Sequence, residues 1–136
     1  MRIKCQKIVG GHAIGDAIVT RQPINFLTMI DSATGKISYQ NHELFGKSVK
    51  GSVLVFPKAV GSSVGAYRIY AMKAASAAPV AVVCTEQADI ITASGCAISN
   101  IPMVKIANAF AQVSFESGLR LSIDATNEEI VIMRNK

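Results

Sequence analysis

Two adjacent serines set between glycines, Gly61-Ser62-Ser63-Val64-Gly65, are the residues of this chain best placed to do chemistry. They follow an unbroken apolar run, Val53-Leu54-Val55-Phe56, of the length of a buried strand. They precede a helical pattern in which Val64, Tyr67, Ala71 and Ala74 recur. The serines therefore fall at a strand-to-helix junction, where Ser62 or Ser63 can serve as the helix cap. The first amides of a helix have no partner within it, and together with the positive end of the dipole they favour an oxyanion, a carboxylate or a phosphate. Gly61 and Gly65 let backbone and ligand approach closely.

Several chemistries use such a junction. Gly61-Ser62-Ser63-Val64-Gly65 fits the G-x-S-x-G pattern of a nucleophile elbow with Ser63 as nucleophile. A hydrolase of that kind places its acid and its histidine after the serine, whereas His12 and His42 both precede it here. No Gly-Lys-Ser/Thr follows the glycines, which excludes a Walker loop. Serine at a helix start is ordinarily a cap, a lone histidine ordinarily a turn or core residue, and a lysine such as Lys58 ordinarily a solvated one.

With 136 residues the chain is long enough for one domain, residues 1–136, and too short to assume two. Half of it is hydrophobic and 17% is charged, so it should bury a core and still keep apolar surface for a partner. The formal net charge of +5 suits an anionic ligand. Its carriers are scattered (Arg2, Lys4 and Lys7; Lys47, Lys50 and Lys58; Arg134 and Lys136), with no basic stripe interleaved with aromatics, so no nucleic-acid partner is expected. The richest apolar stretch, residues 74–84, is broken by Ser76 and Pro79 and is shorter than a membrane span. The start of the chain lacks the apolar centre of a signal peptide, and a cytoplasmic protein with no membrane association is expected. Cys5, Cys84 and Cys96 are odd in number and widely spaced, which predicts reduced, mostly buried thiols and no metal site on this chain.

The elements that must hold the junction read less evenly. Residues 2–9 alternate as a strand, Gly10-Gly11 turns the chain, and residues 12–20 form a second strand with a bulge or bend at Gly15-Asp16. From Gln22 to Gly51, short apolar pieces among turn signals give no period, and a looped segment of that length tends to be functional. Val53 to Phe56, being wholly apolar, should lie in a parallel sheet covered on both faces; Val80 to Cys84 is the next such strand. Thr85 caps a second helix that Gly95 ends, and residues 97–104 run extended at an edge or bend because of Pro102. Two tail strands, residues 119–124 and 130–134, are joined through Thr126-Asn127. This is an α/β layered domain.

The ordered set Gly51-Ser52-Val53-Leu54-Val55-Phe56, Gly61-Ser62-Ser63, Ala78-Pro79-Val80-Ala81, Glu86-Gln87-Ala88-Asp89-Ile90-Ile91, Gly95-Cys96-Ala97-Ile98 and Ile101-Pro102-Met103-Val104 resembles the small swivelling domain of the aconitase X family. The likeness takes in most of residues 10–105 and is closest to the separate small subunit found in archaea. It implies a swivelling β/β/α three-layer fold with a partly parallel central sheet. It also implies a large partner subunit in a heterodimer, an iron–sulfur cluster of the [4Fe–4S] type carried by that partner, and removal of water from a hydroxy acid. The hydroxy acid implied is (R)-5-phosphomevalonate, dehydrated to trans-anhydromevalonate 5-phosphate on the archaeal isoprenoid route. In the wider aconitase family the first serine of the Gly-Ser-Ser turn is the base, which by position is Ser62. Gly61, Ser63, Val64 and Lys58 would then border the substrate, although ordinary aconitases carry an arginine where Val64 stands. The rival expectation is a non-catalytic module that holds an anion, or regulates, through the same helix start.

Overall fold

The computed structural model describes residues 1–107 and 115–133. Among them run β1 (Arg2–Val9), β2 (His12–Val19), β3 (Val53–Phe56), α1 (Gly65–Ala74), β4 (Ala81–Cys84), α2 (Ile90–Ile98), β5 (Met103–Ile106), β6 (Arg120–Asp124) and β7 (Glu129–Met133). The strands close into a mixed barrel in the order β1-β5-β4-β3-β2-β6-β7. β2, β3, β4 and β5 are mutually parallel neighbours; the remaining pairings are antiparallel. The expected sheet layers are thus parts of one closed surface, which leaves no free edge among the described strands.

Alternation along the parallel strands explains why they are apolar throughout. Val53, Val55, Ala81, Val83, Val104 and Ile106 point into the barrel, where they meet Ile3, Cys5, Leu121, Ile123 and Ile130. Leu54, Phe56, Val82, Cys84 and Met103 point outward and are covered by Ile69 and Met72 of α1 and Cys96 of α2. A strand buried on both faces has no polar side to show. The irregular stretch between β2 and β3 completes this outer layer with Ile24, Phe26, Ile30, Ile37, Leu44 and Val49. Its β pairing is limited to isolated bridges, such as Ile30 with Ile37 and Ile24 with Ala59, and turn hydrogen bonds do the rest, which is why no period marks it in the sequence. His42 is buried there; its Nδ1 accepts from the Leu44 amide (3.1 Å), so its Nε2–H donates to the Pro23 carbonyl (3.3 Å). That is a structural role, while exposed His12 pairs with Ser122 at 2.9 Å.

Several local expectations need correction. Gly15 makes no bulge: β2 runs straight through it, paired with Leu121, and a Cβ there would lie 2.9 Å from Val80 and 3.1 Å from the Gly51 carbonyl. Gly95 does not end α2 but lies inside it, buried against α1. The cap of α2 is Asp89 rather than Thr85; its carboxylate accepts from the Thr92 amide at 2.9 Å. Ala97 and Ile98 are helical, and Pro102 precedes an interior strand, with its carbonyl accepting from Val82. The tail strands pair as expected; Arg134 and Lys136 lie outside the described residues.

Candidate functional site

The loop from Pro57 to Val64 leaves the C-terminal end of β3 and is tied down on its near side. The Ile24 amide donates to the Lys58 carbonyl (3.1 Å), and the Val60 amide to the Ile24 carbonyl (2.9 Å). At Gly61 the chain takes φ +110°, and a Cβ there would fall 2.5 Å from Asn25 Nδ2. The Asn25 side chain cannot retreat easily, since its Oδ1 accepts from the amides of Leu27 (3.0 Å) and Thr28 (3.2 Å). Asn25 is therefore a part of the site that pattern reading passed over, lost in a segment without a period.

Neither serine caps α1 in the expected way. The amides of Gly65 and Tyr67 donate to the Ser62 and Val64 carbonyls in a tight turn, and the helix proper begins after Val64, which has no side-chain cap. Ser62 Oγ instead accepts from the Val64 amide at 3.3 Å. The amides of Gly61, Ser62 and Ser63 have no hydrogen-bond partner among the described residues. Ser62 is exposed, with an anchored oxygen and a cluster of open donors beside it. Such donors stabilise negative charge on an oxygen because they need no reorganisation when the charge forms.

Ser62 and Gly61 line a cavity of about 200 Å³ whose other walls include Phe26, Gly65, Asp89 and Thr92. Phe26 stands edge-on to Phe56, centroids 5.8 Å apart, and so rests on the end of β3. The start of α2 forms the facing wall, because α1 and α2 pack so closely that a Cβ on Gly95 would be 3.1 Å from the Ala66 Cα. The cavity thus sits beyond the C-terminal ends of β3 and β4, between two helix starts, the place where parallel sheets bind ligands. Ser63, Val64 and Lys58 are not in its wall: the first two are exposed, and Lys58, four residues before Ser62 in the loop, is half-buried. A larger depression of about 680 Å³ lies at the opposite ends of the strands, around Lys50, Lys73, Pro79 and Pro102, away from the serines.

The cysteines do not fit a metal centre. Cys5 belongs to the barrel interior, while Cys84 and Cys96 lie in the outer layer. Burial pushes the thiols of Cys84 and Cys96 up to about 12, with Asp89 adding to the rise in both. All three are free thiols, and among the described residues no group of His, Cys, Asp and Glu is placed to hold a metal ion. No helix among the described residues is long and apolar enough to cross a membrane.

A closed mixed barrel with two helices on its parallel strands and a Gly-Ser-Ser turn at their C-terminal edge defines a swivel domain, and a family model for the aconitase X swivel domain matches residues 2–132. The chain belongs to that family. It is 39% identical to the phosphomevalonate dehydratase small subunit of Thermococcus kodakarensis, over 99% of this chain and 98% of that one. The protein of the same name from Methanothrix thermoacetophila is also 39% identical, over 97% of this chain and 95% of the relative. The crystal structure of Thermococcus kodakaraensis aconitase X in its holo-form superposes with a TM-score of 0.92 at 38% identity, covering 98% of this chain and 99% of that one.

Proposed function

We propose that this chain is the small subunit of a phosphomevalonate dehydratase, a hydro-lyase active only when joined to a large subunit. The reaction removes water from (R)-5-phosphomevalonate to give trans-anhydromevalonate 5-phosphate. An iron–sulfur cluster belongs to the large subunit in this reading. What this chain contributes is the base.

The observation that carries the proposal is the placement of Ser62, exposed at the mouth of a cavity at the C-terminal edge of the parallel strands in a chain that matches such small subunits almost end to end. Dehydration next to a carboxylate begins with the loss of a carbon-bound proton, which needs a base within hydrogen-bond reach. A serine hydroxyl is a poor base unless charge on its oxygen is stabilised. The Val64 amide already donates to Ser62 Oγ, and the open amides of Gly61, Ser62 and Ser63 give the surroundings a positive character suited to an anionic substrate as well. In this reading Ser63, exposed, and Lys58, half-buried in the same loop, would meet the substrate's carboxylate or phosphate.

The same face supports a partner. Tyr67 is 71% exposed and Ile90 78%, one on each helix near its start, and Val60 and Val64 flank the serines with about half of each side chain in water. Apolar side chains gathered around a reaction site favour closure by another surface that excludes water.

The test is reconstitution. Co-expressed with its large subunit and supplied with phosphomevalonate, the chain should form anhydromevalonate phosphate, and alone it should form none. Tight binding of phosphate or carboxylate by the isolated chain, with no turnover in the complex, would instead favour an anion-holding module.

A further inference from the structure

Every polar atom of Asn25 but one is committed to the fold. Its amide N–H donates to Met29 Sδ at 3.3 Å, and its carbonyl accepts from the Met29 amide at 2.9 Å. Its Oδ1 accepts from the amides of Leu27 (3.0 Å) and Thr28 (3.2 Å). Backbone amides only donate, so the edge turned toward them is the oxygen and Nδ2 is the opposite edge. Nδ2 makes no hydrogen bond among the described residues. It is not sealed in either: the buried side-chain atoms left unpaired there are Asp89 Oδ1 and Ser99 Oγ.

That uncommitted edge lies over Gly61. Nδ2 is 2.5 Å from where a Cβ on Gly61 would stand. It is therefore within about 4 Å of the Gly61 Cα and, one residue further on, within about 8 Å of the Ser62 Cα. A carboxylate bonded to Nδ2, with the carbon next to it against Ser62 Oγ, spans a gap of about that size. The turn by itself does not call for asparagine, since aspartate or serine accepts from the same amides. Of the three, asparagine is the one that also turns N–H donors away from the turn.

We propose that Asn25 is a substrate-binding residue of the dehydration, donating through Nδ2–H to the carboxylate of phosphomevalonate. This rests on Ser62 being the base. The carbon that gives its proton to Ser62 is bonded to the carboxylate carbon, so a donor beside Ser62 meets that group, while the phosphate lies at the far end of the molecule. As the proton leaves, the electron pair of the C–H bond spreads onto the carboxylate oxygens, and the hydroxyl then departs from the neighbouring carbon. A donor held in place beforehand stabilises that growing charge without reorganising.

The experiment uses the heterodimer, with phosphomevalonate as substrate and 3-hydroxy-3-methylbutyl phosphate, the same molecule without its carboxylate, as inhibitor. Asn25→Asp keeps the acceptor for Leu27 and Thr28 and removes the donor, so melting and subunit assembly should not change. We expect kcat/KM to fall by about 100-fold or more, the size of a lost oxyanion donor, with most of the loss in kcat. The inhibition constant of the carboxylate-free phosphate should stay within a few-fold of the parent. A residue that only shaped the loop would weaken both ligands or neither. If the aspartate chain assembles poorly, Asn25→Ser, which also accepts from the turn amides, carries the same expectations. Near-parental kcat/KM in the variant that assembles, or equal losses for the two ligands, overturns the assignment. Ser62→Ala is measured beside it. Loss of turnover there with a near-parental Asn25 variant overturns the role of Asn25 alone, whereas normal turnover in Ser62→Ala overturns the Ser62 reading and the role of Asn25 with it.

Discussion

Gly61 sits directly over the Asn25 side chain, so close that any Cβ at Gly61 would stand 2.5 Å from the amide nitrogen. The loop that carries Ser62 is therefore pinned from the opposite side by a residue whose own oxygen is held by two backbone amides. Gly61→Ala must overcome both this contact and φ +110°, a backbone cost of about 1–3 kcal/mol. We expect turnover of the complex to drop at least tenfold while the barrel stays folded. In an Asn25→Ala background the same substitution should cost less, and a double-mutant cycle on kcat and thermal stability measures the difference.

The helices that frame the cavity meet at Gly95. A Cβ there would be 3.1 Å from the Cα and carbonyl oxygen of Ala66, backbone that cannot yield, and 2.9 Å from the movable end of Ile69. Gly95→Ala gains up to about 1 kcal/mol of helix propensity but presses on backbone that cannot give way, at about 1–3 kcal/mol, so it should be mildly destabilising. Gly95→Val should separate the helices and destabilise by about 2 kcal/mol or more. Chemical denaturation of the two variants checks the ordering.

Alkaline pH should loosen the outer layer. Cys84 and Cys96 have an ordinary value of 9.0 and stand near 12 when folded because burial disfavours the thiolate. A raised folded value means that the stabilisation is whole below about pH 9 and is lost as pH climbs toward about 12. A Cys84→Ala/Cys96→Ala chain, less stable at neutral pH, should show a shallower fall in melting temperature across that window. Native thiols should also resist alkylation at pH 8.

The apolar rim gives a prediction about assembly. Tyr67→Asp and Ile90→Asp put charge on the exposed faces of α1 and α2 near their starts without touching the core. Each should weaken association with the large subunit by tenfold or more while leaving the circular dichroism of the free chain unchanged. Unaltered affinity in both would place the partner on another face.

Much of this architecture is visible in residue order because burial on both sides of a strand leaves a mark. Val53 to Phe56 has no polar residue because its neighbours are the barrel interior and the helices; Ile3 and Cys5 alternate with charged residues because β1 has one wet face. What pattern reading misses is set by contacts distant in sequence. Gly95 has the look of a helix stop, since a glycine that admits a neighbouring helix and one that ends its own are the same letter. Pro102 has the look of an edge, yet barrel closure brings β1 alongside β5 across nearly the whole chain. At the site, the Gly-Ser-Ser turn stands out locally, whereas Asn25 and Asp89 acquire their positions only when the irregular segment and α2 fold against it.

The most direct test of the account is the rate of phosphomevalonate dehydration by the reconstituted heterodimer carrying Ser62→Ala, with Ser63→Ala as its neighbour control. Ser62→Ala should assemble normally and lose turnover by about three orders of magnitude, while Ser63→Ala should keep a measurable fraction of it. A Ser62→Ala complex turning over at close to the parental rate would contradict it.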